Sequence, residues 1–266
     1  MKCYVCQNRM EDFFRKDFKG LFGLNLVHYW KCIHCGFVLS KTHLEMDTTT
    51  WERLNNKVHS AYQGTDFIAE DPRWLSRLQS QAKTIRELAD FGIIPTDQPW
   101  LDFACGDGKL ADMLSASNLH TLKYDRYMSR GNDDYISQKS LSPGNYGNII
   151  TTSFLEHVLK IETLDEMASL ISKTGVLSVH TLVRETIPPD PDWFYLLPVH
   201  VTFHTNKSMQ TLFDRWGFQS SLYHLESRMW FWFKTRLEHN SNFLAFMKQA
   251  NSEEYFYKNA FMDYWK

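Results

Sequence analysis

The chain has 266 residues, with 29 Lys and Arg against 31 Asp and Glu and a net charge of −2. That length accommodates one large α/β domain with a small appendage, and near neutrality excludes a global field that would draw the protein to nucleic acid or to an anionic membrane. No apolar run reaches the ~18 residues needed to cross a bilayer, the amino terminus has no signal-peptide core, and the five cysteines suit a reducing compartment, so a cytoplasmic protein is expected.

The first motif along the chain has metal-ligand spacing. Cys3-Tyr-Val-Cys6 and Cys32-Ile-His-Cys35-Gly36 are two Cys-x-x-Cys pairs separated by twenty-five residues. Each pair can sit on a tight turn and offer two thiolates to one tetrahedral ion, and Gly36 eases the backbone after the second. The expectation is a structural zinc ribbon over 1–45, with Cys3, Cys6, Cys32 and Cys35 as ligands and Cys105 free; rubredoxin-like iron would use the same ligands. Four thiolates leave no open coordination position, so such a metal shapes the segment and takes no part in catalysis. Phe13, Phe14, Phe18, Leu21, Phe22 and Leu24 supply its apolar cover.

Residues 46–95 read as a linker and a leading helix. The polar stretch 41–70 carries Trp51, Tyr62 and Phe67, and Tyr62 is a candidate for a lid with a catalytic role. Asp71 as N-cap and Pro72 in the first turn open a helix in which Trp74, Leu75, Leu78, Ala82, Ile85 and Leu88 recur at helical spacing. Gly92 and Pro95 end it.

Trp100-Leu-Asp-Phe-Ala-Cys-Gly-Asp-Gly-Lys109 then reads as a buried strand, a glycine turn and the start of a helix, and Tyr124-Asp125 ends the next strand. Glycines let the backbone approach a ligand, and a second-strand carboxylate accepts hydrogen bonds from ribose hydroxyls, so an adenosine cofactor is expected on Ala104, Gly106, Asp107, Gly108 and Asp125. Asp102 narrows the choice. A carboxylate there would repel a pyrophosphate, which disfavours a nicotinamide oxidoreductase, but it could meet the ammonium of S-adenosylmethionine.

At these residues the chain resembles the S-adenosylmethionine (SAM)-dependent methyltransferases with the Rossmann-like fold, whose first motif is an acid, three residues, then Gly-x-Gly. The resemblance implies an α/β fold: a seven-stranded sheet with helices on both faces, plus the small amino-terminal zinc ribbon. Many bacterial methyltransferases acting on sugars, glycans or natural products also begin with a Cys-x-x-Cys, a spacer, then an aromatic followed by Lys-Cys-x-x-Cys-Gly-Phe-Val, here Trp30 to Val38. The implied partner is therefore a small-molecule, sugar or glycan acceptor, met by a catalytic domain over 96–240.

Residues 146–153 read as the fourth strand of that domain, followed by Phe154-Leu-Glu-His-Val158. In the family such a segment lies beside the methionine end of the cofactor, which implies cofactor contacts for Ser153 and Glu156 and makes His157 a catalytic candidate. A helix over 164–171, a turn at Lys173-Thr-Gly175 and a strand over 176–182 come next. The insert 184–210 is rich in proline and aromatics, and Trp193, Phe194 and Tyr195 offer stacking faces to an acceptor.

From His200 to Phe218 the chain resembles the sugar C-methyltransferases, in which a Tyr-x-Glu-His cluster holds the base. The histidine of that cluster falls on His200, but Leu197 and Val199 stand where the tyrosine and glutamate would be. His200 is therefore expected as general base for a hydroxyl or amine acceptor, with His204 a weaker candidate. A helix over 208–216, strands over 219–225 and 229–235, and an amphipathic aromatic helix over 241–265 complete the chain, the last covering the core or a homodimer face.

The reading is methyl transfer from SAM to oxygen or nitrogen of the acceptor. Two others stay open: an RNA or protein methyltransferase that recognises its substrate through the zinc ribbon, and a non-catalytic zinc-ribbon binding protein with a degenerate SAM domain.

Overall fold

The chain folds into two units that interleave in sequence, each built on its own sheet. This computed structural model describes residues 1–62, 73–128, 135–250 and 253–264, without the side chains of 60–62 and 73. Phe67, the expected N-cap Asp71 and Pro72 lie outside the described residues, as does the side chain of Tyr62. Among the described residues no helix is long and apolar enough to cross a membrane.

The first unit comprises Met1–Ala69, Ser153–Leu164 and Thr181–Leu212. Strand β1 (Met10–Asp17) pairs antiparallel with β2 (Leu26–Cys32), which pairs with β3 (Val38–Ser40). The ribbon does not end there. The free edge of β3 is covered by β9 (Thr202–Thr205), with Val38 opposite Phe203, and β8 (Val183–Arg184) follows parallel to β9. An edge strand carries unpaired N–H and C=O groups that need partners, and β9, from the proline- and aromatic-rich insert, supplies them. The sequence-drawn boundary at residue 45 is thus crossed by a shared five-stranded sheet. Val27, Tyr29, Val38, Val58, Ile187, Val199 and Phe203 form its core.

The second unit comprises Glu70–Thr152, Asp165–His180 and Phe213–Lys266. Its parallel strands are β4 (Trp100–Phe103), β5 (Thr121–Tyr124), β6 (Tyr146–Thr152) and β7 (Ile171–His180); β10 (Ser220–His224), β11 (Met229–Phe233) and β12 (Tyr255–Lys258) run antiparallel, in the order β12-β10-β11-β7-β6-β4-β5. Every residue of β11, Met-Trp-Phe-Trp-Phe, is buried. Each such aromatic contributes roughly 1.5–3 kcal/mol by leaving water, which fixes β11 as an interior strand. The expected α/β architecture with a seven-stranded sheet is the one observed.

Two expectations fail locally. The turn at 173–175 is a bulge within β7: Ile171 pairs with Tyr146 while Val176 pairs with Asn148, so the polar Lys-Thr-Gly signal is absorbed without breaking the strand. The helix over 241–265 is in fact Ser241–Gln249, capped by the Asn240 side chain accepting from the Phe243 N–H, and Tyr255–Lys258 is the strand β12 on the edge of β10. The aromatics fit a helical period on paper, but Tyr-Phe-Tyr also suits a strand, and the open edge of β10 decides it.

Candidate functional site

The glycine turn leaves the carboxyl end of β4. Ala104 enters it at φ 59°, a left-handed conformation that is costly for a residue with a side chain, and Gly106 and Gly108 follow at 56° and 73°. At Gly108 a side chain has no room as well as the wrong φ: a Cβ would stand 2.7 Å from Cδ of buried Lys123 and 3.1 Å from the Tyr135 hydroxyl. Tyr135, overlooked in the sequence, donates to the Gly106 carbonyl at 2.9 Å and pins the turn.

Asp125 sits at the end of β5, where one carboxylate oxygen accepts the Gly106 N–H at 3.0 Å and the other those of Tyr127 and Met128 at 2.8 and 2.9 Å. Three of about four lone-pair directions are thus taken by backbone. Asp125 shapes the turn first, and a two-hydroxyl ribose contact requires one of those N–H groups to yield. Asp102 is buried on β4, and its carboxyl is pushed up to about 7 by burial and then by Asp125, against the Ala111 N–H and Lys123. A carboxylate short of positive charge is a fit for a cationic ligand. Asp107 accepts the Lys109 N–H at 3.3 Å at the start of the helix Lys109–Ser115.

In the first unit the four cysteine sulfurs lie within 4.8 Å of one another, with Cys3 to Cys35 at 3.8 Å and Cys6 to Cys32 and Cys35 at 3.4 Å. Four sulfurs around one ion at ~2.3 Å would stand about 3.8 Å apart, so the set fits a tetrahedral metal. Both pairs repeat one backbone pattern. The Cys3 N–H donates to Asn8 O and the Gln7 N–H to Cys3 O, each at 2.8 Å; the Cys32 N–H donates to Phe37 O at 2.8 Å and the Gly36 N–H to Cys32 O at 3.1 Å. Gln7 and Gly36 close the two turns in the same left-handed region, at φ 62° and 73°. Cys105 stands apart with its thiol pushed up by burial, as expected of an inert residue.

The knuckles are tied to the segments that hold the candidate histidines. The Tyr4 hydroxyl donates to Val158 O at 3.0 Å, the Thr205 hydroxyl to Cys35 O, the Thr202 hydroxyl to Leu155 O at 2.8 Å, and the Val201 N–H to Glu156 O at 2.8 Å. None of these links has a signature in the sequence.

The same unit gathers Glu156, His157 and His200, with one ligating atom of each within 4.8 Å of the others. The His157 and His200 rings are 4.9 Å apart, Tyr195 packs on His200 at 4.5 Å, and His59 of the helix Thr48–Tyr62 is 5.5 Å from His157. His200 Nδ1 donates to the Tyr195 carbonyl at 2.9 Å, which leaves the Nε2 lone pair free to accept. Burial pushes His200 down to about 4 and His157 to about 3, so both imidazoles are neutral at neutral pH. Glu156 accepts the Tyr195 hydroxyl at 2.5 Å and the Thr181 hydroxyl at 2.9 Å. Burial and Glu156 hold the Tyr195 hydroxyl well above its ordinary value, so it acts as a donor. Ser153 begins the segment at φ 55°.

Several sequence-based roles change. Trp193 is a core residue and Tyr195 serves Glu156, which leaves Phe194, 71% exposed, as the ring free to meet a ligand. His204 is fully buried against Phe37 and bonded to Ser208, a packing residue and no base.

The sequence profile described as the methyltransferase domain matches residues 74–221, more than half of the chain. No curated protein matches it. Among solved structures it is similar to a SAM-dependent methyltransferase from Archaeoglobus fulgidus, 16% identical with a TM-score of 0.45 over 61% of this chain and 78% of that one. It is also similar to the plantazolicin methyltransferase BpumL in complex with a pentazolic desmethylPZN analog and SAH, 13% identical with a TM-score of 0.41 over 79% of this chain and 91% of that one. By the extent of the profile match, this chain belongs to the methyltransferase domain family.

Proposed function

We propose that the protein transfers the methyl group of S-adenosylmethionine to an oxygen or nitrogen of a small-molecule, sugar or glycan acceptor. The observation that carries the reading is the buried Asp102, its carboxyl raised by burial and by Asp125, beside the left-handed turn at Gly106 and Gly108, with Asp125 at the end of the next strand. When bound, the cofactor supplies an electrophilic methyl group on a sulfonium centre. Asp102 takes its ammonium, directly or through water, Asp125 its ribose, and Ala104, Asp107 and Gly108 shape the backbone around it. Cys3, Cys6, Cys32 and Cys35 hold one structural zinc ion, which keeps the knuckles folded.

His200 receives the acceptor proton on Nε2. Tyr195 fixes its tautomer through the backbone carbonyl, and Glu156, held by Tyr195 and Thr181, supports the imidazolium that forms. One observation favours a second reading, proton removal from carbon: Tyr195 and Glu156 meet around His200, supplying the tyrosine and glutamate that positions 197 and 199 lack. Incubation with isotopically labelled SAM and a panel of glycosides and amines, followed by mass spectrometry of the product, separates the readings. Methylated oxygen or nitrogen is expected. A methylated carbon selects the second reading, and failure to bind S-adenosylhomocysteine by calorimetry removes both.

A further inference from the structure

We infer that Glu156, His157 and His200 form a second, open metal site in the first unit, for a divalent ion of the zinc, cobalt or nickel type. Three observations converge on it. One ligating atom from each residue lies within 4.8 Å of the other two, close enough for modest side-chain rotation to bring all three onto a single ion. The His200 Nδ1–H is committed to the Tyr195 carbonyl, which turns the Nε2 lone pair into the available ligand, and Nδ1 of His157 is buried with no hydrogen-bond partner. A buried imidazole nitrogen left unbonded is costly unless something fills the place, and a cation does.

The supporting groups fit the same reading. Glu156 keeps two lone-pair directions after accepting from Tyr195 and Thr181, and those two hydroxyls orient its carboxylate as outer partners orient metal-bound carboxylates. Two imidazoles and one carboxylate are a donor set that suits zinc and its neighbours, and three protein ligands leave a coordination position open. The cysteine set contrasts on each point: four ligands, all sulfur, and closed. His59, 5.5 Å from His157 between ring centres, is the fourth side chain of metal-binding type beside the cluster.

An ion on Nε2 of His200 occupies the lone pair that would receive the acceptor proton. The site therefore doubles as an inhibitory one; that consequence rests on the base role proposed above, whereas metal binding does not.

Cobalt titration of the full-length, zinc-loaded protein tests it. The expected result is one equivalent of Co2+ per chain, a second metal equivalent beside the zinc, with the d–d absorption of nitrogen and oxygen ligands and no thiolate charge-transfer band, lost in His157→Ala and in Glu156→Gln while the cysteine-bound zinc is retained. Tyr195→Phe should weaken that second equivalent by about tenfold or more. Should either ligand variant fail to fold, proton NMR of the wild type decides: two histidine rings should show paramagnetically shifted resonances. Saturation with no second equivalent, or a second equivalent that persists in both ligand variants, overturns the site. Added zinc should lower turnover at least tenfold as the second equivalent binds; cobalt and zinc bound there with turnover unchanged would leave the metal site standing and remove His200 as the base.

Discussion

The glycine turn of the second unit and the histidine cluster of the first are built on opposite plans. The turn is almost contiguous: Asp102, Ala104, Gly106, Asp107 and Gly108 lie within seven residues, joined from beyond them by Asp125 and Tyr135. The cluster takes Glu156 and His157 from one segment and Tyr195 and His200 from another, with Thr181 holding the carboxylate and the knuckles bonded to both segments. Presenting backbone to a ligand needs only a particular run of φ angles, which a short sequence can specify. Gathering several side chains from distant segments around one point needs all of them fixed at once, which only packing provides.

The contrast can be broken most severely at the four clustered cysteines. Metal binding in small zinc domains contributes on the order of 10–16 kcal/mol, so Cys32→Ser should abolish zinc by elemental analysis and expose the first unit to limited proteolysis. Binding of S-adenosylhomocysteine should survive, because the turn is built within the second unit; Cys105→Ser should change neither. Two metal equivalents in freshly purified protein held by cysteines, or none, would contradict the assignment.

The next largest effect falls on the turn. In Gly108→Ala the left-handed φ costs roughly 1–2 kcal/mol and the displacement of buried Lys123 and Tyr135 a further 1–3. Calorimetry should show S-adenosylhomocysteine binding weakened by at least about tenfold. Unchanged affinity would mean that the turn is not the cofactor cradle.

At the cluster, His200→Ala should lower turnover by roughly 10²-fold or more with cofactor affinity intact, as expected of a group that acts mainly in the transition state. Tyr195→Phe removes only the hydroxyl that holds Glu156 and should cost less, about tenfold, in kcat rather than KM. Full turnover in both variants would return these residues to a packing role.

The smallest effect is a pH slope. The Asp102 carboxyl is raised to about 7 in the fold, so the folded protein keeps its proton where the unfolded chain, near 4, has lost it. Unliganded stability should therefore fall as pH rises from about 4 to 7 and then level off. Affinity for S-adenosylhomocysteine should run the other way, rising with pH towards 7, since its ammonium requires the ionised carboxylate. Asp102→Asn should flatten both slopes, and a titration with the same slope in variant and wild type rules this carboxylate out as the source.

Much of this was legible in the chain itself. Two Cys-x-x-Cys pairs specify two equivalent knuckles, because three-residue spacing places both thiolates on one turn. The strand, glycine turn and second-strand acid specify a Rossmann-like half, because each feature is local. Tertiary structure decided the rest. It made the ribbon one sheet with β9, converted the end of the expected last helix into β12, buried Trp193 and His204, and joined Glu156 and Tyr195 to His200. These outcomes depend on which open strand edge or buried polar atom finds a partner from a distant segment, and neither spacing nor periodicity records that choice.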